Sequence, residues 1–241
     1  MSSLHRGRPE TTHQWPDYFR RRAENTRSDV LRAYYATPLP APETPIAEAP
    51  MVAMDMETTG LDPDQHAIVS IGLVPFTLDR IRLAERRHWV VHPPRALEDL
   101  SVTFHHITHS DIENAPDLGE ILPELLATMA GRVPVVHYHR IERRFLNAAV
   151  VARLGEDLFF PLIDTMVLEA KRHRLSWRAR LRQRLGHDPL SIRLGDSRER
   201  YHLPAYQAHS ALVDAIATAE LLQAQIRHRL GPETPLGELW C

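Results

Sequence analysis

Two acidic residues stand out in the stretch "MVAMDMETTGLDP", which covers residues 51–63. Its apolar positions predict a buried strand, and residues two apart in a strand point to the same face of the sheet. Asp55 and Glu57 should therefore lie side by side, where two carboxylates repel each other unless a cation lies between them. Oxygen clusters of this type bind hard divalent cations such as Mg²⁺ or Mn²⁺. Taken alone, the stretch fits an edge strand with a solvated acidic face equally well.

A histidine and an acid occur together late in the chain, in "HSALVDA". Strong helical periodicity predicts that His209 and Asp214 both lie on a long C-terminal helix. Their spacing of five residues turns the two side chains about 140° apart, so they can flank a common site without touching each other. The alternative is an ordinary amphipathic helix that has two polar residues.

A further acid, Glu142, follows the short apolar strand predicted in "VPVVHY" and lies in the first turn of the next predicted helix. A carboxylate at this point can face the open end of the sheet, near the first strand. The alternative roles are structural: Glu142 would complement the helix N-terminus or pair with nearby arginines at the surface.

The elements that must position these residues are strands and helices in mixed order. Strands grouped early in the chain, followed by alternating strands and helices, indicate an α/β fold with a mixed β-sheet flanked by helices. The predicted strands cover 51–57, 67–76, 87–93 and 133–138, and the predicted helices cover 117–131, 141–155, 160–174 and 205–230.

The rest of the chain divides into segments of different composition. Residues 1–36 are predicted to form an N-terminal helical extension, with one amphipathic helix from about Pro16 to Tyr35. Residues 37–50 contain five prolines and are predicted to form an extended linker. The compact domain should then span residues 51–230, and residues 231–241 are expected to form a loose C-terminal tail.

Composition limits the class of protein further. A hydrophobic fraction of 43% and a net charge of −2 are typical of a globular protein rather than a polycation. No run approaches the roughly 18 apolar residues of a membrane span, and the N-terminus has no signal-like apolar stretch. Because Cys241 is the single cysteine, an intramolecular disulfide is excluded. We expect a cytoplasmic protein with no membrane partner.

The three groups of residues occur in the order typical of one known family. The chain resembles the DEDD exonucleases of the subclass with a catalytic histidine, which includes the proofreading epsilon subunit of bacterial DNA polymerase III, ribonuclease T and oligoribonuclease. The resemblance spans about residues 51–228. "DMETTGLDP" and "HSALVDAIATAELL" are its specific matches, and "FHHITHSDIENAP" and "FPLIDTMVL" resemble the connecting blocks. It implies a ribonuclease H-like fold.

The resemblance also implies a role for each candidate residue. Asp55 would bridge two ions, Mg²⁺ or Mn²⁺, with Glu57 and Asp214 completing the first ion's ligands and Glu142 holding the second. His209 would be the general base that takes the proton from the attacking water. The terminal nucleotide would be contacted by the residues around the acidic pair, namely Met56, Thr58, Thr59 and Leu61.

One position departs from the family pattern. Members usually read "HNAxFDxxFL" where this chain has "HYHRIERRFL". This places Tyr138 at the usual asparagine and Glu142 at the second aspartate. Glutamate keeps the charge and can bind Mg²⁺, although it is one methylene longer. We expect activity to survive, and a non-catalytic member of the family is the alternative.

The function implied is that of a metal-dependent 3′→5′ exonuclease that releases nucleoside 5′-monophosphates. Single-stranded DNA is the favoured substrate, and RNA or short oligoribonucleotides are the alternative. A third hypothesis is a non-catalytic nucleic-acid- or protein-binding module, since the N-terminal extension could dock a protein partner. The basic segment 169–185, with Trp177, is either a track for single-stranded nucleic acid or a solvated helix face.

Overall fold

Apolar runs in the sequence form the strands of a central sheet in a computed structural model that describes residues 14–94, 107 and 109–241. Five strands of this sheet lie in the order β3-β2-β1-β4-β5. Strand β1 pairs antiparallel with β2 and parallel with β4, so the sheet is mixed, as the sequence predicts. The strands are β1 (Met51–Thr58), β2 (Ile68–Phe76), β3 (Arg87–Val90), β4 (Val133–Val136) and β5 (Ile163–Asp164).

Helices surround this sheet, which confirms the predicted α/β class. Within the described ranges, none of them is long and apolar enough to cross a lipid bilayer. The longest helices are α5 (His139–Leu154) and α9 (Ala211–Gln225), which continues as a π-helical turn over Ile226–Leu230. The others are α1 (Trp15–Asn25), α2 (Asp29–Ala36), α3 (His109–Glu113), α4 (Leu118–Met129), α6 (Thr165–His173), α7 (Trp177–Arg184), α8 (Leu194–Arg200) and α10 (Leu236–Leu239).

The N-terminal segment contains two helices, so the prediction of one helix from Pro16 to Tyr35 is wrong. The helix is interrupted between α1 and α2 because Ser28 caps α2: its Oγ accepts a hydrogen bond from the Leu31 N–H. The Glu156 carboxylate also accepts the Arg27 and Ser28 N–H groups, which fixes the connection between the two helices.

This segment packs on the sheet domain through aromatic side chains. The Tyr35 hydroxyl donates to the Phe159 carbonyl oxygen at 3.2 Å and accepts from the Phe159 N–H at 3.1 Å. Residues 1–13 of the predicted extension lie outside the described residues, and the proposed division at residues 36, 50 and 230 stays a prediction. The buried aromatic residues of the two helices are Trp15, Tyr18, Phe19, Tyr34 and Tyr35.

The last eleven residues are packed against the domain, so the prediction of a loose tail is wrong. Leu236, Leu239 and Trp240 are buried, and the Cys241 N–H donates to the Leu162 carbonyl at 2.9 Å. Pro235 also forms an isolated bridge with Pro45 of the predicted linker. The physical reason is that apolar side chains in "PLGELW" can be removed from water by packing beside β5.

Candidate metal and active site

Three carboxylates from two separate elements meet at one point of the fold. Asp55 and Glu57 lie on β1, and Asp214 lies in the first turn of α9. One carboxylate oxygen from each lies within 4.8 Å of the other two. Asp55 is partly buried, while Glu57 and Asp214 are only 8% and 9% exposed. The shared face predicted for Asp55 and Glu57 thus faces the start of α9.

A glycine allows α9 to begin so close to the sheet. Gly72 on β2 pairs with Asp55 on β1. A Cβ atom at Gly72 would lie 2.4 Å from the backbone carbon and oxygen of Ala211, the first residue of α9. Glycine in a strand interior often marks such a close backbone approach. In the sequence, a glycine within the apolar run "IVSIGLV" is the signal of this close approach.

His209 lies before α9, so the prediction that His209 and Asp214 share one helix is wrong. The helix begins at Ala211, and His209 has a left-handed backbone with φ of 71°. The reason is local: the Asp214 carboxylate accepts the N–H groups of His209 at 2.9 Å and Ser210 at 3.2 Å, which fixes the turn before the helix. The predicted angle of 140° therefore does not apply. The His209 side chain is exposed and does not belong to the group of three carboxylates.

Tyr206 contacts the same carboxylate and was missed in the sequence. Its hydroxyl donates a hydrogen bond to Asp214. Burial raises the pKa of Tyr206, and the neighbouring Asp214 charge raises it further, so the hydroxyl stays protonated as a donor. The Arg198 guanidinium lies over the Tyr206 ring, 4.8 Å from its centroid. A tyrosine three residues before the predicted histidine gave no recognisable signal by itself.

Glu142 lies in the first turn of α5, as predicted, and is only 3% exposed. The start of this helix is held by Asp164, whose carboxylate accepts the N–H groups of Tyr138 at 3.3 Å and His139 at 2.8 Å. Burial raises the pKa of Glu142 well above its ordinary value. Its Oε2 atom is buried and makes no hydrogen bond to any residue that the structure describes. The Glu142 Oε2 atom is therefore available to bind a metal ion.

The carboxylates of this site raise one another's pKa values. Burial raises the pKa of Asp55 well above its ordinary value, and the charges of Glu142, Asp214 and Glu57 raise it further. Burial also raises the pKa of Asp214. Repulsion of this kind is removed when a cation binds between the carboxylates. Because all the available ligand atoms are carboxylate oxygens, the site fits a hard divalent cation such as Mg²⁺ or Mn²⁺.

The predicted nucleotide contacts lie around the end of β1 in different environments. The Met56 side chain is 6% exposed and packs in the hydrophobic core, whereas Leu61 is 76% exposed. The Thr58 hydroxyl donates to the Gly60 carbonyl at 2.7 Å. The Thr59 hydroxyl accepts a hydrogen bond from the Ala67 N–H, at 3.0 Å. The contact roles of these four residues stay predictions.

The predicted basic segment includes α7, where Trp177 is 70% exposed and Leu181 is 50% exposed. The side chains of Arg178 and Arg182 lie outside the described part of the structure. Four of the thirteen residues in the predicted connecting block "FHHITHSDIENAP" lie outside the described residues, namely Phe104 to His106 and Thr108.

Comparison with known proteins identifies the family. The family model described as Exonuclease (RNase_T) matches residues 52–222. The PolC-type DNA polymerase III of Thermotoga maritima is 30% identical over 179 residues, which cover 74% of this chain and 12% of that protein. The DNA polymerase III epsilon subunit of Treponema pallidum is 28% identical over 182 residues, which cover 73% of this chain and 76% of that protein.

Solved structures show the same fold at low identity. The nuclease domain of 3′hExo, a DEDDh family member bound to rAMP, matches with a TM-score of 0.61 and 15% identity. The match covers 76% of this chain and 94% of that one. These similarities support the ribonuclease H-like fold that the resemblance implied. With a family model that matches well over half of its length, this chain belongs to the exonuclease family.

Proposed function

We propose that the protein is a metal-dependent 3′→5′ exonuclease that releases nucleoside 5′-monophosphates from the 3′ end of single-stranded DNA. The observation on which this rests is the meeting of Asp55, Glu57 and Asp214 within 4.8 Å, in a chain of the exonuclease family. Carboxylates at this separation repel one another, and a divalent cation between them removes that repulsion.

The acids have distinct proposed roles. Asp55, Glu57 and Asp214 would hold one Mg²⁺ or Mn²⁺ ion, with Asp55 shared with a second ion held by Glu142. When bound, such ions stabilise the attacking and leaving oxygens in an in-line displacement at phosphorus. Tyr206 keeps the Asp214 carboxylate in position through its hydrogen bond.

The proton of the attacking water would pass to His209. Its imidazole is exposed on the turn before α9, and Asp214 fixes the backbone of that turn. A neutral imidazole nitrogen can accept that proton. The role would require the His209 side chain to reach the attacking water when substrate is bound.

The substrate assignment is supported by the relatives rather than by the site. One relative is named as an epsilon subunit of DNA polymerase III, and one structural neighbour is Escherichia coli exonuclease I in complex with a dT13 oligonucleotide. The neighbour bound to rAMP keeps RNA as the second candidate. By the same analogy, the protein would work in a replication or repair assembly, with the N-terminal helices as a docking surface for a protein partner.

Incubation of the pure protein with 5′-end-labelled single-stranded DNA and RNA tests the proposal, with Mg²⁺, Mn²⁺ or EDTA in parallel reactions. We expect stepwise shortening from the 3′ end with either metal, none with EDTA, and faster digestion of DNA than RNA. Asp55→Ala is the matched control for contaminating nucleases. Shortening that Asp55→Ala leaves unchanged, or no digestion of any substrate with either metal, would reject the nuclease assignment.

A further inference from the structure

A second polar site lies towards the far end of α9 from the carboxylate group. A cavity of about 340 Å³ opens there between α6, α9 and the π-helical turn that follows it. Gln225 in its wall follows Asp214 by eleven residues, which corresponds to about 16 Å along a helix axis. The volume is within the range of small-molecule sites.

The polar floor of this cavity is a buried glutamate whose carboxylate already accepts hydrogen bonds from the protein. Glu169 is fully buried and accepts hydrogen bonds from Arg200 at 2.7 Å, Tyr201 at 2.9 Å and Gln225 at 3.0 Å. Burial alone would raise the pKa of Glu169, but the hydrogen bonds from Arg200, Gln225 and Tyr201 lower it below its ordinary value. Glu169 therefore stays charged and fixes the residues around it.

The walls have an excess of positive charge. Lys171, Arg172 and Arg229 line the cavity, and Glu169 is the single carboxylate among the described residues that line it. Burial lowers the pKa of Arg229, the neighbouring Tyr201 and Glu169 raise it, and the charges of Arg172 and Arg200 lower it. Arg229 lies 3.5 Å from the Glu169 carboxylate, which Arg200 also contacts at 2.7 Å, while Lys171 and Arg172 are exposed. The cations around this single carboxylate repel one another. A bound anion would relieve this repulsion.

A buried acceptor also lines the cavity. Gln225 is 2% exposed, and its Nε2 donates to the Thr165 carbonyl and to Glu169. Its Oε1 makes no hydrogen bond to any described residue and is buried from solvent, so Gln225 shapes the wall and offers no contact to a ligand. The leucines at positions 168 and 230 provide apolar wall on either side.

We propose that this cavity binds a nucleoside monophosphate. The phosphate would contact Lys171, Arg172 and Arg229, and the base would lie against the leucines. The chemistry requires an anion and a flat apolar ring in one ligand, which phosphate alone does not provide. The proposal depends on this cavity and not on nuclease activity.

Calorimetric titration of the full chain with AMP, adenosine and inorganic phosphate tests it. The Asp55→Ala variant in EDTA serves as the background, so that metal-assisted binding at the carboxylate group is removed. We expect AMP to bind, and adenosine and phosphate each to bind at least about tenfold more weakly. We also expect binding to weaken as the salt concentration rises.

Two double variants then locate the binding. Lys171→Ala with Arg172→Ala should weaken AMP binding by about tenfold or more. Arg80→Ala with Arg86→Ala removes the same charge from exposed positions elsewhere and should leave it unchanged. The proposal is overturned by absence of AMP binding at millimolar concentration, by phosphate binding as tightly as AMP, or by equal affinity in the two double variants.

Discussion

The pKa values of carboxylates are shifted in opposite directions at two places in this protein. Glu169 is fully buried, yet hydrogen bonds from Arg200, Gln225 and Tyr201 hold its pKa below the ordinary value. Asp55 and Glu142 are held in place by the fold, yet burial raises the pKa of both, and neighbouring carboxylates raise it further. Hydrogen-bond donors and cations surround the carboxylate at one site, whereas carboxylates face one another at the other.

This difference separates a structural acid from a ligand site. An ionised carboxylate is costly to bury without a partner, so a satisfied acid stabilises the fold only with its partners in place. A group of acids without a cation destabilises the free protein, and binding of a metal ion from solution recovers that energy. The two sites should therefore respond in opposite ways to the same substitution, to metal and to pH.

The largest effect is expected at the carboxylate group. Asp55→Asn should lower nuclease activity by about 10³-fold, because loss of the shared ligand removes several kcal/mol of transition-state stabilisation. In EDTA at pH 8 the same variant should have a free energy of unfolding about 1 kcal/mol higher than the wild type, since one repelling charge is gone. Digestion of labelled DNA and urea denaturation measure the two effects. A variant that is less stable than the wild type in EDTA would contradict the comparison.

Glu169→Gln should act in the opposite direction on stability. It leaves Arg200 partly buried without its carboxylate partner, so the free energy of unfolding should fall by about 3 kcal/mol, with or without metal. Urea denaturation measures this. Glu233→Gln, at an exposed position, should change it by less than about 0.5 kcal/mol. Equal effects of the two substitutions would show that the buried network does not stabilise the fold.

The next effect concerns the departure from the family pattern. Glu142→Ala should reduce the rate of digestion by about 10- to 100-fold, the range seen when residues that support a metal are removed. Glu142→Asp should keep most of the activity, because it restores the family's usual acid. Single-turnover rates at a fixed Mn²⁺ concentration compare the two. A fully active alanine variant would remove Glu142 from the site.

The smallest effect is the pH dependence of stability, which should differ in sign between the two sites. With a raised pKa, Asp55 binds protons more readily in the folded state, so in EDTA stability falls as pH rises above its ordinary value of about 3.8. With a lowered pKa, Glu169 contributes stability that is lost as pH falls below its ordinary value of 4.5.

Denaturation curves across pH resolve these contributions, each on the order of 1 kcal/mol. Asp55→Asn should reduce the loss of stability at higher pH, and Glu169→Gln should reduce the loss of stability at lower pH. Addition of Mn²⁺ to the wild type should also remove the loss at higher pH. If both variants have the same dependence of stability on pH in EDTA as the wild type, neither carboxylate determines it.

Local patterns in the sequence were enough to predict the sheet class and the shared face of Asp55 and Glu57. Alternation along β1 fixes that face wherever the strand is placed. His209 was misplaced because helical periodicity continues through residues 205–210, while the helix begins only at Ala211. The turn before it is fixed by hydrogen bonds from the backbone to Asp214, a contact that the periodicity does not show.

The hydrogen-bond network around Glu169 could not be predicted from the sequence. Glu169 receives its hydrogen bonds from Arg200, Tyr201 and Gln225, which are 31, 32 and 56 residues away in the chain. No local spacing encodes such contacts, since they arise when α6, α8 and α9 pack together. The packed C-terminal tail was missed for the same reason, because its apolar residues are too few to show a period and are fixed by contacts with β5 and with residues 42–46.

Metal binding measured by calorimetry tests the central claim most directly. Wild-type protein titrated with Mn²⁺ in the absence of nucleic acid should bind metal at the carboxylate group, with two ions at saturation. Asp55→Asn should lose most of the binding heat, whereas Glu169→Gln should keep it while it remains folded. No binding by the wild type, or binding of equal affinity and stoichiometry by Asp55→Asn, would contradict the assignment of this group as the metal site.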